Sequence, residues 1–304
     1  MVEGGFQERK DAIGLRSMGP EDIPLGMRLK TLAGWNQTSE DWALLLQVGY
    51  GLVAEVDGVG VGTATVVPHA DAFAWIGMVL VDPPHRRRGI GTALLEAAVG
   101  RARQHGVARL DATPQGKPIY ARLGFAEDYD LLRLRRWAGA AESTQRSDFR
   151  MDGGAYGPEA VSVQQLSSGD LGAIDAYDAP VFGASRSFIL GALWERAPHL
   201  AYQARRGGRL VGYCLGRPGS EHVQIGPVVA EDAAAAQALL AAALNASGPV
   251  SVIADVPADH SAWIGYLTQM GFGTQRSFTR MSLSSGKPCR QPAGQFAIGG
   301  PEIG

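Results

Sequence analysis

The stretch His85-Arg86-Arg87-Arg88-Gly89-Ile90-Gly91-Thr92-Ala93-Leu94-Leu95 follows an apolar, strand-like segment and opens an amphipathic helix. Its glycines, Gly89 and Gly91, allow backbone N–H groups to approach a ligand closely. The beginning of a helix also presents N–H groups without intrahelical partners, together with partial positive charge. The stretch therefore predicts a site for a pyrophosphate. The alternative is a strand-to-helix turn that binds no ligand.

Composition limits the classes of protein to which the chain can belong. Its 304 residues are enough for two domains of ordinary size. A hydrophobic content of 45% with 19% charged residues is typical of a soluble globular fold. The formal net charge of -2 gives no electrostatic basis for nucleic acid or an anionic membrane as the main partner. We expect the basic run Arg133, Arg135 and Arg136 at a strand edge or on a solvated face.

Cysteine usage and the absence of long apolar runs indicate the compartment. Cys214 and Cys289 are too few for a disulfide framework, and no cluster of Cys and His has the spacing of a zinc site, so no metal is expected. Residues 1–10 lack the apolar core of a signal peptide, and no apolar run approaches membrane-spanning length. These features predict a cytoplasmic protein without membrane contact. Monomer and homodimer both remain open.

The predicted elements follow one plan twice. A strand, two helices, three strands, a helix, a strand, a short helix and a strand end near Leu134, and a similar order begins again at Val161. Gly124-Phe125 closes the first short helix, and Gly271-Phe272 closes its counterpart. We predict a mixed α/β fold of two tandem domains, residues 1–140 and 158–304, with a linker over 141–157. Two unrelated α/β domains are the alternative.

The spacing Arg86-x-x-Gly89-x-Gly91 resembles the acyl-coenzyme-A loop of the GNAT acetyltransferase superfamily. The first half resembles a GNAT domain over nearly its whole length, and the second half resembles a degenerate copy. The full pattern resembles a bacterial tandem-GNAT family, one branch of which contains aminoglycoside acetyltransferases, including the enzyme that acetylates kasugamycin. The matching pieces are Gly34-Trp35-Asn36-Gln37-Thr38 with Asp41-Trp42, then Phe182-Gly183-Ala184-Ser185-Arg186, then residues 297–304.

The resemblance implies acetyl-CoA as co-substrate, bound by the first half alone. The second half carries Val229-Ala230-Glu231-Asp232-Ala233-Ala234 at the corresponding place, where two carboxylates would repel a pyrophosphate. That half is therefore expected to shape the acceptor pocket. In the first half, the pantetheine arm is expected to pair with the backbone of the strand before the loop. The residues implied in coenzyme binding are Val79, Val81, Arg86, Arg87, Arg88, Gly89, Gly91 and Thr92.

The resemblance also implies that Tyr120 protonates the leaving thiolate, and a phenol with a pKa of about 10 suits this role. An aromatic ring packed on the short helix is the alternative. Some GNAT enzymes carry a glutamate base at the position that is Trp75 here. A tryptophan cannot accept a proton from an ammonium. Either another carboxylate acts through water, or the amine arrives already neutral.

Candidate acceptor contacts are two aromatic residues, Trp35 and Trp75, and two carboxylates, Asp255 and Glu302. Aromatic walls suit sugar faces, and carboxylates suit a cationic amine. Asp255 ends a predicted strand, where ligand crevices often lie. Glu302 belongs to a stretch rich in glycine and proline that either folds back over the cleft or frays. Core packing, helix caps and surface charges are the alternative roles for these residues.

The expected function is therefore an acetyl-CoA-dependent N-acetyltransferase acting on a small cationic amine. An aminoglycoside antibiotic such as kasugamycin is the favoured acceptor, with resistance by acetylation as the role. Two alternatives stay open. One keeps the enzyme class and changes the acceptor to a protein, a polyamine or an amino-sugar metabolite. The other is a non-catalytic regulator that binds acyl-CoA.

Overall fold

The computed structural model describes residues 13–139, 160–283 and 289–304. We call the part before the gap at 140–159 the first unit and the part after it the second unit. The linker predicted over 141–157 lies outside the described residues. The elements of the first unit are β1 (Ile13–Ser17), α1 (Ile23–Leu32), α2 (Ser39–Val48), β2 (Tyr50–Val56), β3 (Val59–His69), β4 (Phe73–Val81), α3 (Ile90–Ala102), β5 (Val107–Ala112), α4 (Lys117–Arg122) and β6 (Ala126–Arg136).

The second unit follows the same order of strands and helices. It adds a short strand close to its end, which the sequence analysis did not predict. Its elements are β7 (Val161–Gln165), α5 (Leu171–Phe182), α6 (Ser187–Arg196), β8 (Tyr202–Arg206), β9 (Arg209–Arg217), β10 (Val223–Ala230), α7 (Ala233–Ser247), β11 (Val252–Pro257), α8 (Ser261–Gln269), β12 (Phe272–Leu283) and β13 (Gln295–Ala297).

Local sequence explains where several of these elements begin and turn. α2 begins at Ser39 and is capped by Thr38, whose side chain accepts a hydrogen bond from the Asp41 N–H. The Asp41 carboxylate accepts in return from the Thr38 N–H at 2.8 Å, which completes a capping box. The hairpin of β2 and β3 turns at Asp57-Gly58, where both residues have positive φ as two-residue hairpin turns require.

All strands in the described part of the chain belong to one mixed sheet of 13 strands. The order is β1-β2-β3-β4-β5-β12-β6-β11-β10-β9-β8-β7, and β13 pairs with β10. The mixed α/β class predicted from the sequence is therefore confirmed. Each unit contributes its last long strand to the other unit, an arrangement we call the exchange. β12 of the second unit pairs with β5 of the first, and β6 of the first unit pairs with β11 of the second. The repeat in the sequence did not predict this exchange.

The exchange makes β6 a central strand. Arg133 on β6 is consequently buried, and its side chain is only 4% exposed. The expectation that Arg133 lies at a strand edge or on a solvated face is therefore wrong, because β6 has a strand partner on each side. Arg135 and Arg136, nearer the end of β6, are half-buried.

Helices cover both faces of the sheet and contribute to three of the four apolar clusters found in the described residues, the fourth being formed by Leu131, Phe278 and Ile298. α3 packs on the strands of the first unit, and α7 packs on those of the second. The third cluster spans both units, because it joins residues of α1 and α2 with residues of α5 and α6. Burial of apolar side chains from both units in one cluster stabilises their association.

Candidate functional site

The site begins where two parallel strands separate. β4 and β5 pair only over residues 73–75 and 107–109. Within the described residues, the rest of β4 has no strand partner on that side. Alternate backbone N–H and C=O groups of residues 76–81 therefore face the gap, where a ligand containing amides can satisfy them.

A β-bulge lies on β4 where the strands separate. Met78 has a φ of 50°, a left-handed conformation that is uncommon for a residue with a Cβ atom. The register with β3 shifts between Thr63 and Thr65, and the Thr63 hydroxyl donates to the Met78 carbonyl at 3.0 Å. Bulges bend strands and are frequent beside active sites. This bulge is a local cause of the gap between β4 and β5.

The predicted loop leads from the end of β4 into the exposed beginning of α3. Gly89 is the N-cap of α3 with a φ of 86°, and no side chain caps the helix. The Ala93 N–H donates to the Gly89 carbonyl at 2.9 Å. This is the first hydrogen bond of the helix, so the N–H groups of residues 90–92 have no intrahelical acceptor. Together with the helix dipole, they form a site suited to an anion.

Gly91 is not required by the packing of the protein itself. A Cβ atom placed there would approach only Val81 Cγ2, at an ordinary contact distance of 3.6 Å. Gly91 instead lines the cavity. The missing side chain therefore leaves room on the cavity side, which is the arrangement a bound pyrophosphate needs.

The gap and the loop open into one cavity of about 980 Å³. One group of lining residues comes from the loop and the end of β4, and Tyr120 lies on the same wall. A second group comes from the α1–α2 connection, the exchanged strands and residues 298–304. The first group includes Val79, Val81, Arg86, Arg87, Gly89, Gly91 and Thr92, and the second includes Trp35, Gln37, Arg133, Arg276, Phe278 and Glu302.

The structure thus brings most of the predicted coenzyme contacts to one cavity. Arg88 is the exception, since it does not line the cavity. The Arg86 Nε atom donates to the Val81 carbonyl at 3.1 Å, so that side chain turns back onto β4. The Val81 carbonyl is therefore already occupied, which leaves Val79 as the freer backbone partner for a pantetheine arm.

Tyr120 lies on α4, and its ring packs against Phe125 with the ring centroids 6.1 Å apart. Both the predicted role and its packing alternative are therefore compatible with its position, because the ring packs and also lines the cavity. Burial raises the pKa of the phenol to about 12. Tyr120 thus keeps its proton at neutral pH but is a weaker acid than its ordinary pKa suggests.

Trp75 is buried and does not line the cavity. Its indole N–H donates to the Pro301 carbonyl at 2.9 Å. The backbone of residues 298–304 packs closely against β4 here. A Cβ atom placed on Gly77, two positions after Trp75, would lie 3.1 Å from the Glu302 Cα atom. The structure contradicts the expectation that Trp75 contacts the acceptor, because residues 298–304 cover its ring.

Residues 298–304 fold back onto the sheet. The Ile298 N–H donates to the Asp255 carbonyl at 2.9 Å, and the Gly304 N–H donates to the Gly300 carbonyl at 2.9 Å. Buried Arg186 donates to the Gly304 carbonyl at 2.8 Å. Of the two expectations for this stretch, folding back is therefore confirmed, and these contacts hold Glu302 beside β4.

The Glu302 carboxylate is 3% exposed and lies on the cavity wall. Gln37 Nε2 donates to one of its oxygens at 2.8 Å, and Arg217 forms an ion pair with the other. Burial raises the pKa of Glu302, and the Arg217 guanidinium only partly opposes this effect. A carboxylate with a raised pKa is well suited to accept a proton near neutral pH.

An ion-pair network supports Glu302 from both units. Arg217 also pairs with Asp41 at 3.0 Å, and Arg196 pairs with the same Asp41 oxygen at 2.6 Å. Burial opposes ionisation of Asp41, but Arg217 and Arg196 together keep its pKa below the ordinary value. The network contains two cations, Arg196 and Arg217, and two anions, Asp41 and Glu302. Its net charge is therefore zero, and it holds Glu302 on the cavity wall.

Asp255 does not line the cavity either. Its fully buried carboxylate accepts two hydrogen bonds from Arg133, both at 2.7 Å, and one from Gln224 at 2.9 Å. The expectation that Asp255 contacts the acceptor is therefore wrong, because its oxygens are used by buried partners. Asp255 instead neutralises Arg133, and Arg133 is the residue that reaches the cavity.

Several lining residues of the second group were not predicted from the sequence. Gln37 lay within a matched stretch but was not singled out. Arg133 stands between Leu132 and Leu134 on an apolar strand, a pattern that can indicate burial. No local pattern distinguishes Arg276 or Phe278, because their neighbours are set by the exchange of strands.

The corresponding turn of the second unit is closed. Asp232 is the N-cap of α7, and its carboxylate accepts from the Ala235 N–H at 2.9 Å. Asp232 also pairs with Arg206 at 2.7 Å, and Glu231 pairs with Arg209. The beginning of α7 is thus capped by the protein itself.

Residues 13–139, 160–283 and 289–304 contain neither a cluster of metal ligands nor a membrane-spanning helix. No three or more His, Cys, Asp or Glu side chains in these ranges are grouped to hold a metal ion. No helix there is long and apolar enough to cross a membrane.

Family models match both halves of the chain. Residues 27–125 match the acetyltransferase (GNAT) family, and residues 174–296 match an acetyltransferase (GNAT) domain. The first match contains the open loop and Tyr120. The second match contains the closed turn, so the two halves share a fold although only one keeps the glycine loop.

Individual proteins are similar over different shares of the chain. An uncharacterized N-acetyltransferase, YitH, of Bacillus subtilis (strain 168) is 27% identical over 198 residues, which are 65% of each chain. The mycothiol acetyltransferase of Kineococcus radiotolerans is 41% identical over 112 residues, 34% of this chain and 37% of the relative. The chain thus spans less than two thirds of either relative.

One solved structure matches the whole fold. It is a putative acetyltransferase from Pyrococcus horikoshii, with a TM-score of 0.77 and 20% identity, covering 100% of this chain and 99% of that one. At this identity the likeness concerns the fold. Together with the two family models, it shows that the chain belongs to the GNAT acetyltransferases, with two GNAT domains in tandem.

Proposed function

We propose that the protein is an acetyl-CoA-dependent N-acetyltransferase that acts on a small amine. The observation that carries this proposal is the meeting of three features on one cavity: the uncapped beginning of α3, the unpaired edge of β4 and the proton-transfer groups Tyr120 and Glu302. The first suits a pyrophosphate, the second suits an amide-containing arm, and the third suits acetyl transfer to an amine.

The described residues fit a bound coenzyme. Gly89 and Gly91 leave the anion site at α3 free of side chains, and Arg86 and Arg87 bring positive charge to the same wall. The Val79 backbone lies on the edge of β4 that has no strand partner. When bound, acetyl-CoA supplies a thioester, which gives its acetyl group to an amine and leaves a thiolate that needs a proton.

Glu302 is proposed as the group that accepts the proton of the acceptor ammonium, directly or through one water. It lies on the cavity beside Gly77, two positions after the tryptophan that replaces the expected glutamate. Trp75 contributes indirectly, because its indole holds the Pro301 carbonyl and so the neighbouring carboxylate. The first unit would therefore obtain its base from a segment of the second.

Tyr120 is proposed as the donor to the thiolate. Its raised pKa means that the phenol remains protonated until negative charge develops beside it. It can then donate a hydrogen bond to the sulfur and share its proton in the transition state.

The two units would divide the work. Residues 1–140 would bind the coenzyme, residues 158–304 would shape the acceptor pocket, and 141–157 would link them. The closed turn at Asp232 supports a single coenzyme site. Arg276, Phe278 and Glu302 on the cavity wall support acceptor selection by the second unit.

The acceptor is proposed as a small molecule, and an aminoglycoside such as kasugamycin stays one candidate. Trp35 on the wall would suit a sugar face, and Glu302 would suit a cationic amine. The pocket is less suited to several ammonium groups, because Arg133 and Arg276 share the same wall.

The test is turnover of acetyl-CoA over a panel of small amines that includes aminoglycosides, polyamines and amino acids. Thiol release would measure the rate, and a mass increase of one acetyl group would identify the product. Acetylation of any member at a saturable rate supports the proposal. Tight coenzyme binding by calorimetry with no turnover on the panel would favour the regulator instead.

A further inference from the structure

We infer that the acceptor carries a carboxylate beside its amine and that Arg276 binds this carboxylate. The inference rests on the proposed acetyl transfer and adds the chemical class of its acceptor. It assigns to Arg276 a part in substrate specificity.

The position of Arg276 on the sheet is electrostatically unfavourable without an anion. It lies directly opposite Arg133 in the pairing of β12 with β6. Like charges opposite each other on neighbouring strands destabilise a sheet. A β-bulge at Gln275 shifts the register here, and bulges re-aim side chains next to functional sites. The fold therefore holds two guanidinium groups side by side at the cavity.

Only one of these two guanidinium groups is neutralised by the protein. Arg133 forms its paired hydrogen bonds with Asp255. Arg276 has no carboxylate within ion-pair distance among the described residues, and its guanidinium donates a hydrogen bond to the Gly34 carbonyl at 3.2 Å. Burial and the neighbouring Arg133 lower its pKa, and the Asp255 and Glu221 carboxylates, which lie beyond ion-pair distance, do not offset this effect.

The other charged groups on this part of the wall are balanced. Glu302 is paired with Arg217, and buried Asp111 is paired with Arg280 at 2.8 Å. Arg276 therefore leaves an excess of positive charge where the acceptor would bind. A carboxylate fits this place, since the planar guanidinium forms paired, charge-assisted hydrogen bonds with it.

The neighbours of Arg276 connect it with the proposed base. Its hydrogen-bond acceptor Gly34 precedes Trp35, and Gln37 of the same connection donates to Glu302. One short loop thus contacts both the free cation and the carboxylate. An acceptor with an amine at Glu302 and a carboxylate at Arg276 would satisfy both ends of the pocket.

The experiment compares amines that differ only by a carboxylate. Lysine and cadaverine, ornithine and putrescine, and 2,4-diaminobutyrate and 1,3-diaminopropane form three such pairs, and the aminoglycoside panel is tested beside them. The variants are Arg276→Gln and the control Arg135→Gln. Arg135 has the same charge, stacks on Trp137 at 3.5 Å and does not line the cavity.

We expect an amino acid to be preferred over its decarboxylated partner, and Arg276→Gln to reduce that preference by about 10- to 100-fold. The KM for acetyl-CoA should stay unchanged, and Arg135→Gln should behave as wild type. Equal rates within the pairs, acetylation of carboxylate-free amines alone, or an undiminished preference in Arg276→Gln would overturn the inference.

A second measurement separates this inference from the reaction itself. If no pair is acetylated although acetyl-CoA binds, the proposed reaction fails for these amines. Calorimetric titration of the acetyl-CoA complex with the three amino acids then decides the subsite. Binding that Arg276→Gln weakens and Arg135→Gln does not would support the carboxylate site, and equal or absent binding would reject it.

Discussion

The two units place a strand-to-helix turn at the same point of the fold and use it differently. At the beginning of α3, Gly89 has a left-handed conformation, no side chain caps the helix and the turn faces a cavity. At the beginning of α7, Asp232 caps the helix with its own carboxylate. A helix start attracts anions in both cases, but only one of them is left for a ligand.

A second difference accompanies the first. Four positions before the Gly-Phe closure, the first unit has Tyr120 and the second has Leu267. Tyr120 lines the cavity, whereas Leu267 is fully buried in the core of its unit. Within its described residues, the second unit thus has neither the uncapped helix start nor a tyrosine at this position. Under the proposed function, one fold would serve as a coenzyme site in one copy and as a support and acceptor wall in the other.

The strongest test of this comparison closes the open turn. Gly91→Glu would place a carboxylate on the cavity at the anion site, where bulk and like charge both oppose a pyrophosphate. We expect at least a 100-fold loss of acetyl-CoA affinity by calorimetry, with an unchanged melting temperature. Gly100→Glu is the matched control, since Gly100 lies on the same helix with open space around it. Normal affinity in Gly91→Glu would refute the loop assignment.

Removal of the proposed base, Glu302 of the second unit, should have the next largest effect. Glu302→Gln is expected to lower kcat by about 100-fold with little change in the KM for acetyl-CoA. Because the base acts ionised and burial raises its pKa, wild-type kcat should fall as the pH drops through a value above the ordinary carboxyl range. A pH–rate profile should lose this acidic limb in Glu302→Gln. Retention of the same limb would exclude Glu302 as the base.

Tyr120→Phe tests the proton donor that only the first unit keeps. We expect kcat to fall by about tenfold to 100-fold at unchanged coenzyme affinity. Tyr120 should not limit the rate by ionising below a pH of about 12. Tyr266→Phe is the control, because Tyr266 is a partly buried phenol of the second unit whose hydroxyl has no partner among the described residues. Equal kcat in wild type and Tyr120→Phe would contradict the assignment.

The smallest effect is expected from opening the closed turn. Asp232→Ala removes the cap of α7 and should lower the free energy of unfolding by about 1 kcal/mol. Urea unfolding measures this change, and calorimetry should still find one coenzyme site with unaltered affinity. A second site in the variant would show that the cap alone distinguishes the two turns.

Local features of the fold were accessible from the sequence, because they depend on neighbours along the chain. The glycine loop, the hairpin at Asp57-Gly58 and the amphipathic α3 follow from backbone preferences and from spacing. The acceptor wall was less accessible. From the sequence, Trp75 can be interpreted as a pocket wall or, as is more frequent for tryptophan, as a core residue. The Pro301 carbonyl that accepts a hydrogen bond from its indole is 226 positions away.

The sequence by itself determined the mixed α/β class, the doubling of the plan and the position of one glycine loop, since short-range propensity and repeat spacing encode these. Only the tertiary structure decided that β6 and β12 are exchanged and that Asp255 serves Arg133. It also decided that the carboxylate of Glu302, a residue of the second unit, lies on the cavity wall beside β4. Strand order is set by pairing between segments that are distant in the sequence. That order then determines which side chains lie beside each buried charge.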